Sequence, residues 1–216
     1  MVRSSHGSDG EAVVLVHGLW LSGWAMALIA HWLRTCGFHT HVFSYPSVGH
    51  SLRDNAAALR AFSDTLGADT VHYVGHSLGG VVIRAMLHYY PSPRAGRVVT
   101  LGSPHSGSSV ARALSRQSWG RRFLGLSIAD LLRGEPPLKE SPAYAFGLIK
   151  GDLPIGLGAL LFGLERPSDG VVSIAETSLP GAADETTLRI AHTAMLLSRK
   201  AAMRTCEFLR QGHFAH

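Results

Sequence analysis

Residues Val71–Leu87 read VHYVGHSLGGVVIRAML, and the change of pattern at Ser77 decides the fold. From Thr70 to Gly75 the residues are dense in β-branched and aromatic types, as a short buried strand requires. From Leu78 to Tyr90 apolar residues recur at helical spacing until Pro91 and Pro93 stop the run. Between the two lies Gly75-His76-Ser77-Leu78-Gly79, a G-x-S-x-G pattern in a strand-to-helix setting. Such a turn holds a serine in strained backbone geometry, with its Oγ exposed at the carboxyl end of the strand. Gly75 and Gly79 remove side chains that would strike the neighbouring strand and helix, and Gly80 adds room. The helix N-terminus directs backbone N–H groups at the same spot, where negative charge is favoured. Ser77 is therefore the candidate nucleophile. His76 reads as a packing residue, since its place on the turn aims it away from Oγ.

The same alternation runs outward along the chain. Ala12–His17, Phe38–Ser44, Arg97–Gly102, Ala143–Lys150 and Thr187–His192 read as further strands. Trp24–Cys36 (closed by Gly37), Ser51–Leu66, Val110–Ser118, Phe123–Leu132 and Ala194–Arg210 read as helices. Short apolar runs joined by crossover helices predict an α/β fold, with one doubly wound, mostly parallel sheet of six strands and helices on both faces. No linker, repeat or second core interrupts residues 1–216, which read as one domain with a flexible polar tail at 1–11. Residues 106–142 hold no convincing strand. They read either as a minimal cover over the site or as helices packed on the sheet.

The chemistry of Ser77 needs three kinds of partner. An oxyanion needs two preorganised donors. One is the N–H of Leu78; the other is the N–H of Leu19, freed by the sharp turn that Gly18 permits after the first strand, with His17 bracing the loop. A base and an acid must follow the serine in the order acid, then histidine. His192 stands after the sixth strand and is the candidate base. His105, in LGSPHSGS, is its rival but reverses the order. Asp169, in RPSDGVVS, is the candidate acid on a short turn, with Asp152 and Asp184 as alternatives. Trp20, Leu21 and Trp24 lie beside the oxyanion loop and are candidates for an acyl pocket, as is the Gly-rich run Leu157–Leu164. Trp119, Phe123, Leu124, Leu126, Leu131 and Leu132 supply apolar material in the covering segment.

Composition narrows the partners. Over 216 residues the hydrophobic share is 46% and the charged share 16%, which excludes a disordered chain. The net charge is +5, but Arg112, Arg116, Arg121, Arg122 and Arg133 are interrupted by apolar residues. They read as a solvated face, with transient contact at a membrane surface as the second reading, and no nucleic-acid motif accompanies them. The two cysteines, Cys36 and Cys206, read as buried free thiols; a bridge requires their Cα atoms within about 7 Å. No metal-ligand spacing appears, so neither metal nor cofactor is expected. The polar N-terminus lacks the apolar stretch of a leader, and no run approaches the roughly 20 apolar residues of a membrane span. A cytoplasmic protein is expected, with no sequence signal for its oligomeric state.

Four stretches together resemble a known group. They are VVLVHGLWLSGWAM, VHYVGHSLGGVVIR, VVTLGSPHSGS, and PSDGVVSIAET with AHTAMLLS. The chain is similar to compact bacterial lipases and esterases of the α/β-hydrolase superfamily, including the GPI-inositol-deacylase-like relatives. The resemblance implies a triad of Ser77, Asp169 and His192, oxyanion N–H groups from Leu19 and Leu78, and a small-molecule ester or lipid substrate. The same triad also serves thioesterases, amidases and acyltransferases, and a hydrolase-fold binding protein without turnover is the reading from another class. A sizeable lid and a calcium site, common in secreted lipases, are not evident.

Overall fold

The computed structural model describes residues 10–137, 144–156 and 164–215. Strand β1 (Glu11–Val16) leads through a 3-10 turn (Gly23–Met26) into helix α1 (Ala27–Thr35). Then follow β2 (His39–Phe43), α2 (Leu52–Asp64), β3 (Thr70–His76), α3 (Leu78–Tyr89) and β4 (Ala95–Leu101). Two helices, α4 (Ser109–Ser115) and α5 (Gly120–Leu132), separate β4 from β5 (Phe146–Gly151). Strand β6 (Asp184–Leu188), a 3-10 turn (Thr193–Leu197) and α6 (Arg199–Gln211) complete the order.

The strands form one sheet in the order β2-β1-β3-β4-β5-β6, and every pairing is parallel. Successive residues of β1 alternate between two apolar layers. Val14 and Val16 join α2, α3 and α5 on one face; Val13 and Leu15 join α1 and α6 on the other. Helix α3 is buried from Leu78 to Leu87 because α2 packs over it, which explains why, Arg84 apart, that stretch is apolar or glycine on every side rather than on one stripe. Serine side chains start three helices: Ser51, Ser108 and Ser198 each accept an N–H from the first turn of α2, α4 and α6.

This strand order places the site. After β1 the chain crosses to β2 on one side, and after β3 it crosses to β4 on the other. The loops leaving β1 and β3 therefore part company at the carboxyl ends of two adjacent strands, the crevice where open α/β sheets bind ligands. Gly18 lies at the start of the first of those loops and Ser77 begins the second.

Four expectations change in detail. Glu11 belongs to β1, paired in register with Thr70, so the polar tail is shorter than 1–11. Residues Trp24–Cys36 divide into a 3-10 turn and α1. The sixth strand lies at Asp184–Leu188 rather than Thr187–His192. As an edge strand with one exposed face, it carries the polar sequence DETTL that an apolar reading passes over. Cys36 and Cys206 are not free thiols: they form a disulfide with Cα atoms 6.4 Å apart, because α1 and α6 pack side by side on the same sheet face. Disulfides persist in oxidising compartments, so the bridge stands against the cytoplasmic expectation. Among the described residues, no helix is long and apolar enough to cross a membrane.

Candidate active site

Ser77 sits at the β3–α3 junction with φ +53° and ψ −124°, a conformation that L-residues rarely adopt. Its neighbours enforce it. A Cβ on Gly75 would lie 2.5 Å from the Gly80 nitrogen, and one on Gly79 would lie 2.2 Å from the Val16 carbonyl oxygen. Only glycine lets the turn close this tightly. The Ser77 N–H donates to the Leu101 carbonyl at 2.9 Å, and its own carbonyl accepts from Gly80 N–H at 3.1 Å, which pins the turn to β4 and to the first turn of α3.

Asp169 and His192 are brought together. His192 Nδ1–H donates to Asp169 Oδ2 at 2.7 Å, and the His192 main-chain N–H donates to the Asp169 carbonyl at 2.9 Å. Asp169 is completely buried, and its other carboxylate oxygen accepts the N–H groups of Val171 (3.0 Å) and Val172 (2.8 Å). A buried carboxylate is costly unless its lone pairs are occupied. Here the turn around Gly170 (φ +95°) supplies those donors and aims the remaining oxygen at the imidazole. Gly151, at the end of β5, makes room: a Cβ there would come within 2.7 Å of the Asp169 Cβ.

The pair lies against the serine turn through two contacts. His76, the residue before Ser77, donates from Nε2–H to the His192 carbonyl at 3.1 Å, with the two rings 4.8 Å apart. Gly102, next to the Leu101 carbonyl that holds Ser77, is so close that a Cβ would stand 2.8 Å from Asp169 Oδ2. His76 is fully buried; desolvation, then repulsion from His192, pushes its pKa down to about 3, so it stays neutral.

The loop after β1 closes the other side. A Cβ on Gly18 would stand 3.1 Å from the Ser77 Cβ. His17 braces this loop from within: its Nδ1–H donates to the Gly18 carbonyl at 2.9 Å and its Nε2 accepts from Tyr45 N–H at 3.2 Å. The Tyr45 ring stacks on it at 4.5 Å, and the Tyr45 hydroxyl donates to the His17 carbonyl at 3.0 Å. Burial lowers the His17 pKa, which suits a ring that accepts at one nitrogen. Among the described residues, the N–H groups of Leu19 and Leu78 donate to no backbone acceptor.

The remaining candidates take separate places. His105 is buried against Thr100 Oγ1 at 3.1 Å, and desolvation holds its pKa well below the usual value. Asp184 begins β6 and accepts from Phe214 N–H at 2.7 Å, while Asp152 follows β5 with one oxygen buried. The Trp20 ring lies tilted against Phe123 with centroids 4.3 Å apart, Leu21 packs into the apolar layer beside α1, and Trp24 is 88% exposed. Most of Leu157–Leu164, and the end of the 106–142 segment, lie outside the described residues. Within that segment Leu124 and Leu131 are buried against α2 and α3, whereas Trp119, Phe123 and Leu126 face outward. His76, read from the sequence as a packing residue, is buried and also holds the His192 carbonyl; Tyr45 and Gly102 are contributions that pattern reading missed. Gly102 alone left a trace, as a glycine at a strand end. No three His, Cys, Asp or Glu side chains converge as a metal site among the described residues.

Comparison with known proteins bears on the family and the fold. Residues 13–208 match the model of the alpha/beta hydrolase family. No curated protein matches the sequence. Among solved structures, the lipase BlEst2 of Bacillus licheniformis in mature form is 21% identical with a TM-score of 0.76, covering 96% of this chain and 94% of that one. The metagenomic carboxyl esterase MGS0156 is 18% identical with a TM-score of 0.72, covering 94% of this chain and 76% of that one. A membrane phospholipase A described as a bacterial virulence factor is 16% identical with a TM-score of 0.64, covering 95% and 80%. Likeness at these identities is one of fold, and the fold is that of the α/β hydrolases.

Proposed function

The chain belongs to the alpha/beta hydrolase family, and from that premise we propose that it hydrolyses carboxylic esters with an apolar acyl group through an acyl-enzyme on Ser77. The observation that carries this reading is the buried Asp169–His192 hydrogen bond, which abuts the left-handed turn presenting Ser77. With Nδ1–H committed to Asp169, the His192 ring keeps Nε2 as its free basic nitrogen, the tautomer a general base needs.

The steps follow from that arrangement. Ser77 Oγ attacks the ester carbonyl carbon while His192 Nε2 takes the hydroxyl proton. The carbonyl oxygen becomes an oxyanion that accepts from the N–H groups of Leu19 and Leu78, the second reinforced by the N-terminus of α3. The C–O bond to the alcohol breaks, and the imidazolium returns its proton to the leaving oxygen. Water, deprotonated by the same imidazole, then releases the carboxylic acid and restores Ser77. The Asp169 carboxylate holds the ring through Nδ1–H and stabilises the imidazolium.

Turnover of p-nitrophenyl acyl esters by wild type and Ser77→Ala tests the reading. The variant is expected to lose turnover while keeping the wild-type circular dichroism spectrum, and a fluorophosphonate probe is expected to label Ser77. Full activity in the folded variant discards the assignment. A chain-length series, run in parallel on esters, thioesters and amides of one acyl group, identifies the favoured substrate; ester preference is expected.

A further inference from the structure

From Ser103 to Ala129 the sequence contains no aspartate or glutamate, and Arg116, Arg121 and Arg122 fall within it. All three are exposed, and no ion pair among the described residues involves them. The same short stretch exposes large aromatic side chains: Trp119 is 56% and Phe123 48% exposed. Trp20, itself 51% exposed, extends the aromatic surface onto the loop beside Ser77, with its ring 4.3 Å from Phe123, which lies 5.6 Å from Trp119. Proteins seldom expose a contiguous group of tryptophan and phenylalanine rings without a partner. Exposed aromatic rings and arginines interleaved along one short stretch suit a surface that is apolar beneath and anionic above.

We propose that the α4–α5 face, extended by Trp20, docks on anionic phospholipid bilayers. The guanidinium groups of Arg116, Arg121 and Arg122 pair with lipid phosphates, and the rings of Trp119 and Phe123 enter the headgroup layer. Charge complementarity selects this occupant: between Ser103 and Ala129 the charged side chains are all arginines, with carboxylates only at the two ends, Glu176 on the Ser109 N–H and Asp130 in the last turn of α5, and the apolar part consists of rings suited to an interface. Docking sets the mouth beside Leu19 and Ser77 against the membrane, a consequence that rests on the function proposed above; the docking itself does not.

Sedimentation with vesicles tests it, using Ser77→Ala protein so that turnover plays no part. The protein is expected to bind vesicles of phosphatidylcholine mixed with phosphatidylglycerol, less so as salt rises, with a blue shift in tryptophan emission. It is expected to bind pure phosphatidylcholine far more weakly. Replacing the three arginines together (R116Q, R121Q, R122Q) is expected to weaken binding about a hundredfold. The same substitutions in active protein leave melting temperature and turnover of a soluble short-chain ester unchanged. F123A is expected to remove the emission shift. Binding to neither vesicle, equal binding to both, full binding by the arginine variant, or tighter binding to a single-stranded oligonucleotide than to the mixed vesicles overturns the proposal.

Discussion

Gly102 follows β4 at φ +57°, and a Cβ there would stand 2.8 Å from Asp169 Oδ2 and 3.1 Å from His192 Nδ1. Alanine at this position brings both left-handed strain and a collision with the bond that orients His192. Gly102→Ala is expected to lower kcat on a soluble ester roughly 100-fold, the cost of displacing a reacting group by about 1 Å. It is also expected to lower stability by about 1–3 kcal/mol. Steady-state kinetics beside urea unfolding check both, and wild-type kcat in the folded variant contradicts the placement. His76 acts one bond further back, holding the His192 carbonyl at 3.1 Å. His76→Leu leaves that buried carbonyl without its donor, a loss of about 1–3 kcal/mol. A lower kcat at unchanged KM is expected, with partial recovery in His76→Gln, whose amide restores a donor. Equal rates in the leucine and glutamine variants count against a positioning role.

At the scale of elements, α5 is broken and anchored rather than regular. Gly125 has φ +79° and ψ −176° inside it, and a Cβ there would lie 2.3 Å from the Val48 carbonyl oxygen. The break lets Leu126 N–H donate to that carbonyl at 3.0 Å, and the Phe123 carbonyl accepts the Trp20 indole N–H at 3.0 Å. Trp20 adopts φ +57° to make this bond, while its main-chain N–H donates to Ser47 Oγ at 3.1 Å. Helix α5 and the loop bearing Leu19 therefore hold each other. Trp20→Phe keeps the ring and deletes the indole donor. It is expected to cut kcat by about 2- to 10-fold, the worth of one hydrogen bond expressed as rate, with KM little changed. A change confined to KM assigns Trp20 to the pocket wall instead.

For the whole molecule, two features set stability. The Cys36–Cys206 bridge joins helices 170 residues apart in sequence. Removing it by Cys36→Ala with Cys206→Ala is expected to cost about 2–5 kcal/mol, seen as a lower melting temperature with activity intact below it. Burial lowers the pKa of His17, His72, His76 and His105. Their native values lie below the unfolded value of about 6.5, so between the two the unfolded chain takes up protons that the native chain refuses. Stability is fully present above about pH 6.5 and falls as pH drops, by up to about 1.4 kcal/mol per pH unit for each such histidine. Melting temperature is expected to be flat near pH 7–8 and to fall steadily on acidification. A flat profile down to pH 4 is the result that refutes it.

The alternation of strand and helix and the turn at Ser77 were legible because each depends on near neighbours. Side-chain periodicity, a glycine where a Cβ cannot fit and a proline where a helix must stop are local constraints. The polar edge strand Asp184–Leu188 was not legible, since half of its surface faces solvent and the apolar signal is diluted. Nor were the disulfide, the hold of His76 on His192, or the anchoring of Trp20 to Phe123, which join residues 170, 116 and 103 positions apart. The sequence by itself determined the layered α/β order and the tight strand-to-helix turn that carries Ser77. Tertiary structure alone decided which distant groups meet, because hydrogen bonds and ring contacts act over a few ångströms and only the packed sheet brings their partners within that range.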